Sequence, residues 1–264
     1  MSESLRKLAP DKLKPHEAVL RSFAYFNRLD KVEHGLARTA LELAVDKAPG
    51  QSDVWAWLAI MYREEYSHGF NTLSDPLGRA HAAALKAIDF GPSNHWAHLA
   101  LASVLYYKRD IPAFQSAAAR AIAFNRMDGS GTAYLGSLLA ASGMWELGCA
   151  LMARARSLNP DYPGWYWIPE TGRAYHNGDY PGALKFAREI NMPDLWISQV
   201  LLAAIYGQLG KLEKAQQAKS DLLRLRPEFA NEAREEFGKR YLPDFADKLI
   251  EGLRRAGMEI ANGA

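Results

Sequence analysis

Two stretches of the sequence contain residue types that can perform acid–base or metal chemistry. Glu64 and Glu65 are adjacent in "YREEYSHGF", and His95 and His98 have the spacing with which a helix presents two metal ligands on one side. Adjacent helical residues point about 100° apart, so the two glutamates do not face one substrate. We expect them to brace the surrounding segment or to form a solvated face. No third ligand has a fixed position near the histidines, which favours packing, and the sequence predicts neither a catalytic residue nor a metal site.

A glycine-rich stretch and one cysteine are the other candidates for chemistry. Residues 128–136, "DGSGTAYLG", resemble a phosphate loop in composition, but no strand precedes them. We interpret these glycines as the turn that opens a helix. Cys149 lies in the apolar stretch "ELGCALMARA" and is expected to be a buried small hydrophobe. A single cysteine excludes an internal disulfide and favours a reducing compartment, and no cofactor is expected.

The overall composition is that of a folded protein without a strong electrostatic field. Of the 264 residues, 48% are hydrophobic and 23% are charged, and the formal net charge is +2. This small charge does not favour binding to nucleic acid or to an anionic membrane. The N-terminus has no secretory apolar run, and no segment approaches the ~20 apolar residues of a membrane span. We therefore expect a cytoplasmic protein that binds neither membrane nor nucleic acid through this region.

An internal repeat predicts the helices on which any functional site would lie. Residues 129–160 and 196–227 share one template: Leu and a small residue at positions seven and eight, Gly at fifteen, a small residue at twenty and Pro at thirty-two. The same template fits less closely from Ala18, Ser52, His95 and Gly164. Small residues at eight and twenty allow two antiparallel helices to approach closely, and the proline ends the second helix. Position four, where His98 falls, is expected to face the core.

This template resembles the tetratricopeptide repeat, a helix-turn-helix unit of about 34 residues. The resemblance implies an all-α fold, a right-handed superhelix of about six helix hairpins with C-terminal capping helices. The expected organisation is an N-terminal tail at 1–17, a repeat array at 18–229, and capping helices with a C-terminal tail at 230–264. Within the array, units are expected to start near residues 18, 52, 95, 129, 164 and 196.

The second unit is longer than the others. Its excess lies between Tyr62 and Ala80, in "REEYSHGFNTLSDPLG". We predict a long ordered turn there, with Ser74 or Asp75 as the N-cap of the next helix and Pro76 as its first residue.

The fifth unit contains "YPGWYWIPE", with four aromatic side chains and two prolines. The repeat register places Trp167 at a core position and Trp165 at a position that faces the inner groove. Two helix starts are compatible with Pro169. We favour a helix that begins at Pro163, is capped by Asp161 and kinks at Pro169. The alternative is a helix that begins at Pro169 after an extended entry segment.

The tetratricopeptide resemblance implies that inner positions of the first helices bind a partner. The predicted partner-binding residues are Arg63, Trp96, Tyr106, Tyr107, Trp165, Tyr175 and His176. Further inner positions include Phe26, Gly172, Ala204 and Gln208. Aromatic walls with few charges favour an extended peptide or a helix as the ligand. We therefore predict a non-catalytic protein–protein interaction scaffold. A self-association module or homo-oligomer, and a hydrolase that uses the 63–75 insertion, are the alternatives.

A more specific resemblance concerns four phrases. These are "HEAVLRSFAYFNRL", "YREEYSHGFN", "NPDYPGWYWIPETGRAYHNGDYPGALKFAREINMPDLW" and "LRPEFANEAREEFGKRYLPDFADKLIEGLRRAGM". They are similar to the tetratricopeptide region found behind class III nucleotide cyclase or winged-helix DNA-binding domains in bacterial signalling proteins. The resemblance implies a regulatory role, either as a stand-alone protein or as one domain of a larger chain.

Overall fold

The computed structural model describes residues 8–26 and 30–261, and these residues form α-helices, two short 3-10 helices and no β-strand. The predicted all-α fold is therefore confirmed. Residues 1–7 of the predicted N-terminal tail and 262–264 of the C-terminal tail lie outside the described residues. Within the described ranges, no helix is long and apolar enough to cross a membrane.

The helices follow one another as six pairs and a final two. The pairs are α1 (Pro15–Phe26) with α2 (Lys31–Lys47), α3 (Ser52–His68) with α4 (Pro76–Phe90), α5 (His95–Tyr107) with α6 (Ile111–Phe124), α7 (Gly129–Ala141) with α8 (Trp145–Leu158), α9 (Ile168–His176) with α10 (Tyr180–Ile190), and α11 (Trp196–Gln208) with α12 (Leu212–Leu225). The last two helices are α13 (Phe229–Arg240) and α14 (Pro243–Arg255), and the 3-10 helices are Pro10–Lys12 and Gly164–Trp167. Contacts divide the chain into two compact units, unit 1 (Met1–Arg126) and unit 2 (Met127–Ala264).

Aspartate side chains begin several of these helices. Asp75 accepts a hydrogen bond from the backbone N–H of Gly78 at 3.0 Å, and Pro76 is the first residue of α4. Of the two predicted caps, Asp75 is therefore the one that is used. Asp30, Asp110, Asp128 and Asp179 cap helices in the same way. The glycines after Asp128 thus belong to a capped helix start, as the sequence analysis expected.

Small residues bring the two helices of a hairpin together. A methyl group added at Gly136 in α7 would lie 3.0 Å from the carbonyl oxygen of Gly148 in α8. A methyl group added at Gly148 would lie 2.6 Å from the carbonyl oxygen of Gly136. The two backbones are therefore in direct contact at template positions eight and twenty.

Position four of the first helix has a polar role that the sequence analysis missed. In three hairpins its side chain donates a hydrogen bond to the carbonyl of the proline six positions earlier: Trp55 to Pro49 at 2.7 Å, His98 to Pro92 at 2.8 Å and Gln199 to Pro193 at 2.9 Å. Because the carbonyl only accepts, Nε2 of His98 carries the proton. This bond fixes each first helix to the turn that precedes it.

The start of the fifth hairpin differs from the favoured prediction. Gly164–Trp167 form a 3-10 helix, and α9 begins at Ile168, whose N–H donates to the carbonyl of Trp165. Pro169 lies in the first turn of α9, where a missing N–H breaks no helical bond. The kinked helix from Pro163 is therefore wrong, and the alternative start at Pro169 is one residue late.

Because Gly164–Trp167 form a 3-10 helix, the most buried aromatic residue is not Trp167, which the repeat register places at a core position. Tyr166 is fully buried, whereas Trp165 and Trp167 are half-buried. Trp167 stacks on Phe186 with ring centroids 5.8 Å apart, and the guanidinium of Arg156 lies 3.9 Å from the Trp167 ring centroid. The repeat register predicts an α-helical spacing from Gly164, but a 3-10 helix turns further per residue and presents Tyr166 to the core.

Candidate partner-binding surfaces

The predicted groove residues lie in both units. Arg63 on α3 and Trp96, Tyr106 and Tyr107 on α5 belong to unit 1. Trp165, Tyr175 and His176 belong to unit 2. Within unit 1 the first helices α1, α3 and α5 pack side by side.

Arg63 does not present its charge to a partner. Its side chain is buried, pairs with the carboxylate of Glu64, and lies 5.8 Å from the ring centroid of Tyr107. Glu64 also accepts a hydrogen bond from the Tyr25 hydroxyl at 2.9 Å and pairs with His68 at 2.7 Å. Burial alone would raise the pKa of Glu64, but Arg63 and His68 hold it well below its ordinary value. The predicted groove role of Arg63 is thus replaced by a place in a buried ion network.

Glu65 braces the long turn of unit 1. Its fully buried carboxylate accepts from Arg38 at 2.9 Å, from Arg79 at 2.5 Å and from the backbone N–H of Leu73 at 3.1 Å. Of the two expectations for the acid pair, the brace is right and the solvated face is wrong. The carboxylates of Glu64 and Glu65 are bonded to structural partners, so these two residues do not form the exposed acid pair that the hydrolase alternative requires.

Tyr106 and Tyr175 are interior residues. Each is 1% exposed. Tyr106 packs edge-on against Phe114 with ring centroids 5.5 Å apart. Tyr175 packs against Tyr180 at 5.3 Å, and burial raises the pKa of its hydroxyl. Neither ring offers surface to a partner in this conformation, which corrects the prediction for these two residues.

Unit 1 does carry an aromatic surface on its first helices. Trp57 on α3 lies 4.4 Å from Phe23 and 6.0 Å from Phe26, both on α1, and 4.9 Å from Trp96 on α5, measured between ring centroids. Phe23 and Phe26 are 39% and 37% exposed, and Trp96 is half-buried. Leu20, one turn before Phe23, is also exposed. We call Leu20, Phe23, Phe26 and Trp96, with the buried Trp57 that the three aromatic residues pack against, the aromatic face.

The aromatic face contains residues that sequence reasoning missed. Phe26 and Trp96 were assigned to inner positions, but Phe23 and Trp57 were not. Phe23 is three residues before Phe26, and this spacing places both on one side of a helix. That spacing was the available signal.

Tyr107 lies on α5, as Trp96 does, but makes a different contact with α3. It packs against Tyr66 of α3 with ring centroids 5.7 Å apart and above the buried Arg63. Tyr107 is half-buried, and its role in partner binding stays a prediction.

In unit 2, α14 packs against the first helices α9 and α11. The hydroxyl of Tyr175 donates to the backbone carbonyl of Lys248 at 2.9 Å, and the ammonium of Lys248 donates to the carbonyl of His176 at 3.2 Å. Nδ1 of His176 lies 3.4 Å from the carboxylate of Asp244. Burial and Lys248 lower the pKa of His176, and Asp244 opposes them. Two of the three groove residues predicted in unit 2 therefore contact a helix that was expected to cap the end of the array.

The contact between α14 and the first helix α11 is very close. A methyl group added at Gly207 would lie 2.3 Å from the carbonyl oxygen of Gly252. A methyl group added at Gly252 would lie 2.1 Å from the Tyr175 hydroxyl oxygen and 2.9 Å from Cβ of Ala204. Ala204 is one of the inner positions that the repeat pattern assigned to the groove.

Aromatic residues pack against the N-terminal end of α14. Phe245 packs edge-on against Trp145 with ring centroids 4.9 Å apart, and Trp145 stacks on His176 at 5.5 Å. A shallow cavity of about 420 Å³ is bounded partly by Trp145, His176 and Arg173. Trp165 is not part of this cluster but packs against Tyr166 at 4.5 Å, and its role in binding stays a prediction.

Cys149, the one cysteine, lies inside unit 2. It is buried, and burial raises the pKa of its thiol to about 12. The expected packing role is confirmed by its burial, with 6% of the residue exposed.

Comparison with known proteins shows the fold. No family model and no curated protein match the sequence. A tetratricopeptide repeat protein from Parabacteroides merdae is 16% identical, with 92% of this chain and 98% of that chain covered and a TM-score of 0.53. PilF of Pseudomonas aeruginosa is 15% identical, with coverages of 81% and 92% and a TM-score of 0.56. A human IFIT1 dimer with m7Gppp-AAAA is 14% identical, with a TM-score of 0.67, and this chain covers 59% of it. The fold is that of tetratricopeptide-repeat proteins.

Proposed function

We propose that this chain is a non-catalytic interaction scaffold that binds a peptide or helix of another protein on the aromatic face of unit 1. The observation that carries this proposal is the set of aromatic side chains on three consecutive first helices, α1, α3 and α5. Two of these side chains, Phe23 and Phe26, are more than one-third exposed. Large aromatic side chains supply most of the binding free energy at protein interfaces. A contiguous exposed apolar patch on a folded protein marks such an interface.

The proposed ligand is apolar and carries few charges. Arg63 is withdrawn into the buried ion network, so it does not supply a cation for an acidic tail. The net charge of +2 argues against a ligand recognised through phosphates. The IFIT1 structure with m7Gppp-AAAA makes a capped RNA the natural negative control.

We further propose a cytoplasmic, regulatory role in bacterial signalling. This part rests on the sequence resemblance to the repeat regions behind class III nucleotide cyclase and winged-helix domains. Its test is fusion to such an effector domain. A scaffold of this kind should change the effector's activity when its peptide ligand is added, and the Trp96→Ala fusion should not respond.

The binding site is tested by selecting peptides from a random library on the wild-type protein. Their affinities are then measured for Trp96→Ala and Phe23→Ala. Loss of a hot-spot aromatic typically costs about 2 kcal/mol, so we expect about 30-fold weaker binding by variants that thermal unfolding shows to be folded at the assay temperature. Phe90→Ala is the matched control, because Phe90 is an exposed phenylalanine of the same unit on the second helix α4.

Three outcomes would contradict the proposal. Selected peptides that bind both variants as tightly as wild type do not use the aromatic face. Tight binding of m7Gppp-AAAA that depends on Trp96 would make the ligand a nucleic acid. A dimer that Phe23→Ala abolishes would assign the face to self-association.

A further inference from the structure

Helix α14 packs on the first helices α9 and α11 of unit 2, where Tyr175 and Ala204 are positions that the repeat pattern leaves open for a ligand, and it reaches Trp145 at the start of the second helix α8. Its contacts pass in order from Trp145, against Phe245, to Tyr175, against Lys248 and Gly252, and to Gly207, against Gly252. These residues belong to three successive hairpins. A helix that only capped the last hairpin would not reach Trp145.

The surface beneath α14 directs hydrogen-bond donors at the backbone of a helix. Tyr175 donates to the carbonyl of Lys248 at 2.9 Å, Gln216 to that of Ala256 at 3.2 Å and Lys219 to that of Gly257 at 3.0 Å. The last two carbonyls lie just beyond the C-terminal end of α14, where the negative end of the helix dipole favours a nearby cation. Contacts to backbone carbonyls accept any helix of suitable shape, whatever its side chains.

Shape supplies the selectivity of this surface. Tyr175 and Ala204 leave no room for a side chain at position 252, since even a methyl group would collide with them. Seven residues earlier, Phe245 lies between Trp145 and Tyr241, at 4.9 Å and 5.1 Å between ring centroids. The surface therefore fits an amphipathic helix with an aromatic residue and, two turns later, a glycine.

Two extended residues join α14 to α13. Tyr241 and Leu242 are both extended, with ψ of 163° and 151°, and join α13 to α14 without helical continuity. A change in the backbone dihedral angles of these two residues would move α14 without unwinding α13, once the contacts of Arg234 on α13 with Asp247 and Ala261 are broken.

We infer that the surface of unit 2 beneath α14, formed by α9, α11 and the adjoining residues of α8 and α12, is a second binding site for an amphipathic helix, and that α14 occupies it as an internal competitor. A partner helix with an aromatic residue and a glycine seven positions later binds there by displacing α14. This inference goes beyond the proposed function, which concerns the aromatic face of unit 1.

The test uses a fluorescent peptide of residues 242–257 as the partner helix. Gly252→Leu in the full chain expels its own α14 and opens the site, so this variant should bind the peptide at least tenfold more tightly than wild type. Gly238→Leu on α13 is the matched control, because an added methyl group there meets no atom within 4 Å. A peptide that itself carries Gly252→Leu should not bind. Equal binding of the two peptides, or no gain in the open variant, would overturn the inference.

If Gly252→Leu does not fold, as the lack of a cooperative unfolding transition would show, Phe245→Ala provides the second test. This change removes the aromatic anchor of α14 without creating a collision, and it should also strengthen peptide binding and lower the melting temperature. Added peptide should then restore the melting temperature, because a ligand of the folded state stabilises it. A Phe245→Ala protein that binds the peptide with wild-type affinity would contradict the inference. Phe23→Ala should leave this peptide's affinity unchanged, which separates the site from the aromatic face.

Discussion

Glu64 shows how a single buried side chain can set the acid stability of unit 1. It is 1% exposed and has Arg63, His68 and Tyr25 as partners. Its pKa is depressed in the folded protein, so the unfolded chain binds a proton more readily. The stabilisation by Glu64 is therefore complete above the ordinary glutamate pKa of about 4.3 and is lost as the pH falls below it.

We expect Glu64→Gln to weaken the dependence of stability on pH. Wild-type protein should lose free energy of unfolding between about pH 5 and pH 3, and the variant should lose measurably less over this range. Urea unfolding at several pH values measures both. Glu146→Gln is the control, because the Glu146 side chain is 83% exposed and solvent screens its pair with Arg173. A Glu64→Gln profile parallel to that of wild type would contradict the ion network.

The residue types of this network were visible in the sequence, but their partners were not. Two adjacent glutamates on a helix are exposed in most proteins, and nothing near them in sequence indicates Tyr25 or Arg38. Burial of both carboxylates arises because α1, α2 and α4 bring cations and a hydroxyl from distant positions. Tyr106 and Tyr175 were misassigned for a related reason: the pattern places them on a first helix but does not show what packs there.

At the scale of the helix pair, the sequence was more informative. The small residues of the template bring backbones together, and Gly136 and Gly148 do so in α7 and α8. Trp55, His98 and Gln199 each donate a hydrogen bond to a proline carbonyl, and this bond was not predicted. Three different side chains fill the same template position, and they share only an N–H donor. The 3-10 entry to α9 was missed since the spacing of its aromatics fits both helix types.

Gly136→Leu tests the contact between α7 and α8. A leucine improves helix propensity, but its Cβ would lie 3.0 Å from a backbone carbonyl and 3.1 Å from Cβ of Leu151, and neither gives way easily. We expect a loss of about 1–3 kcal/mol or more in the free energy of unfolding. Gly238→Leu, at an open position of α13, should instead gain up to about 1 kcal/mol. An unchanged or raised melting temperature for Gly136→Leu would show that overpacking does not operate there.

At the scale of the whole chain, the repeat pattern predicted the fold class but not the course of the last helix. The apolar positions of α14 indicate that one side is buried, yet they do not specify against which surface. Its final position depends on complementarity between Gly252 and a small-residue surface on α11, which is a property of two distant segments together. Sequence periodicity describes one segment at a time.

The long turn of unit 1 gives a prediction about the whole chain, since one cut there would divide it into two fragments. Leu73 is 53% exposed and residues 72–74 lie outside the helices, although Thr72 and Leu73 are hydrogen-bonded to Glu65. Exposed loop segments are cleaved before helices. We expect limited digestion with thermolysin, which cleaves before large apolar residues, to make its first cut at Leu73, as mass mapping of the fragments would show. Leu73→Asp should slow this cut without changing the melting temperature. First cuts within 129–160 would mean that the hairpin of α7 and α8 opens more easily than the turn, which its direct backbone contact argues against.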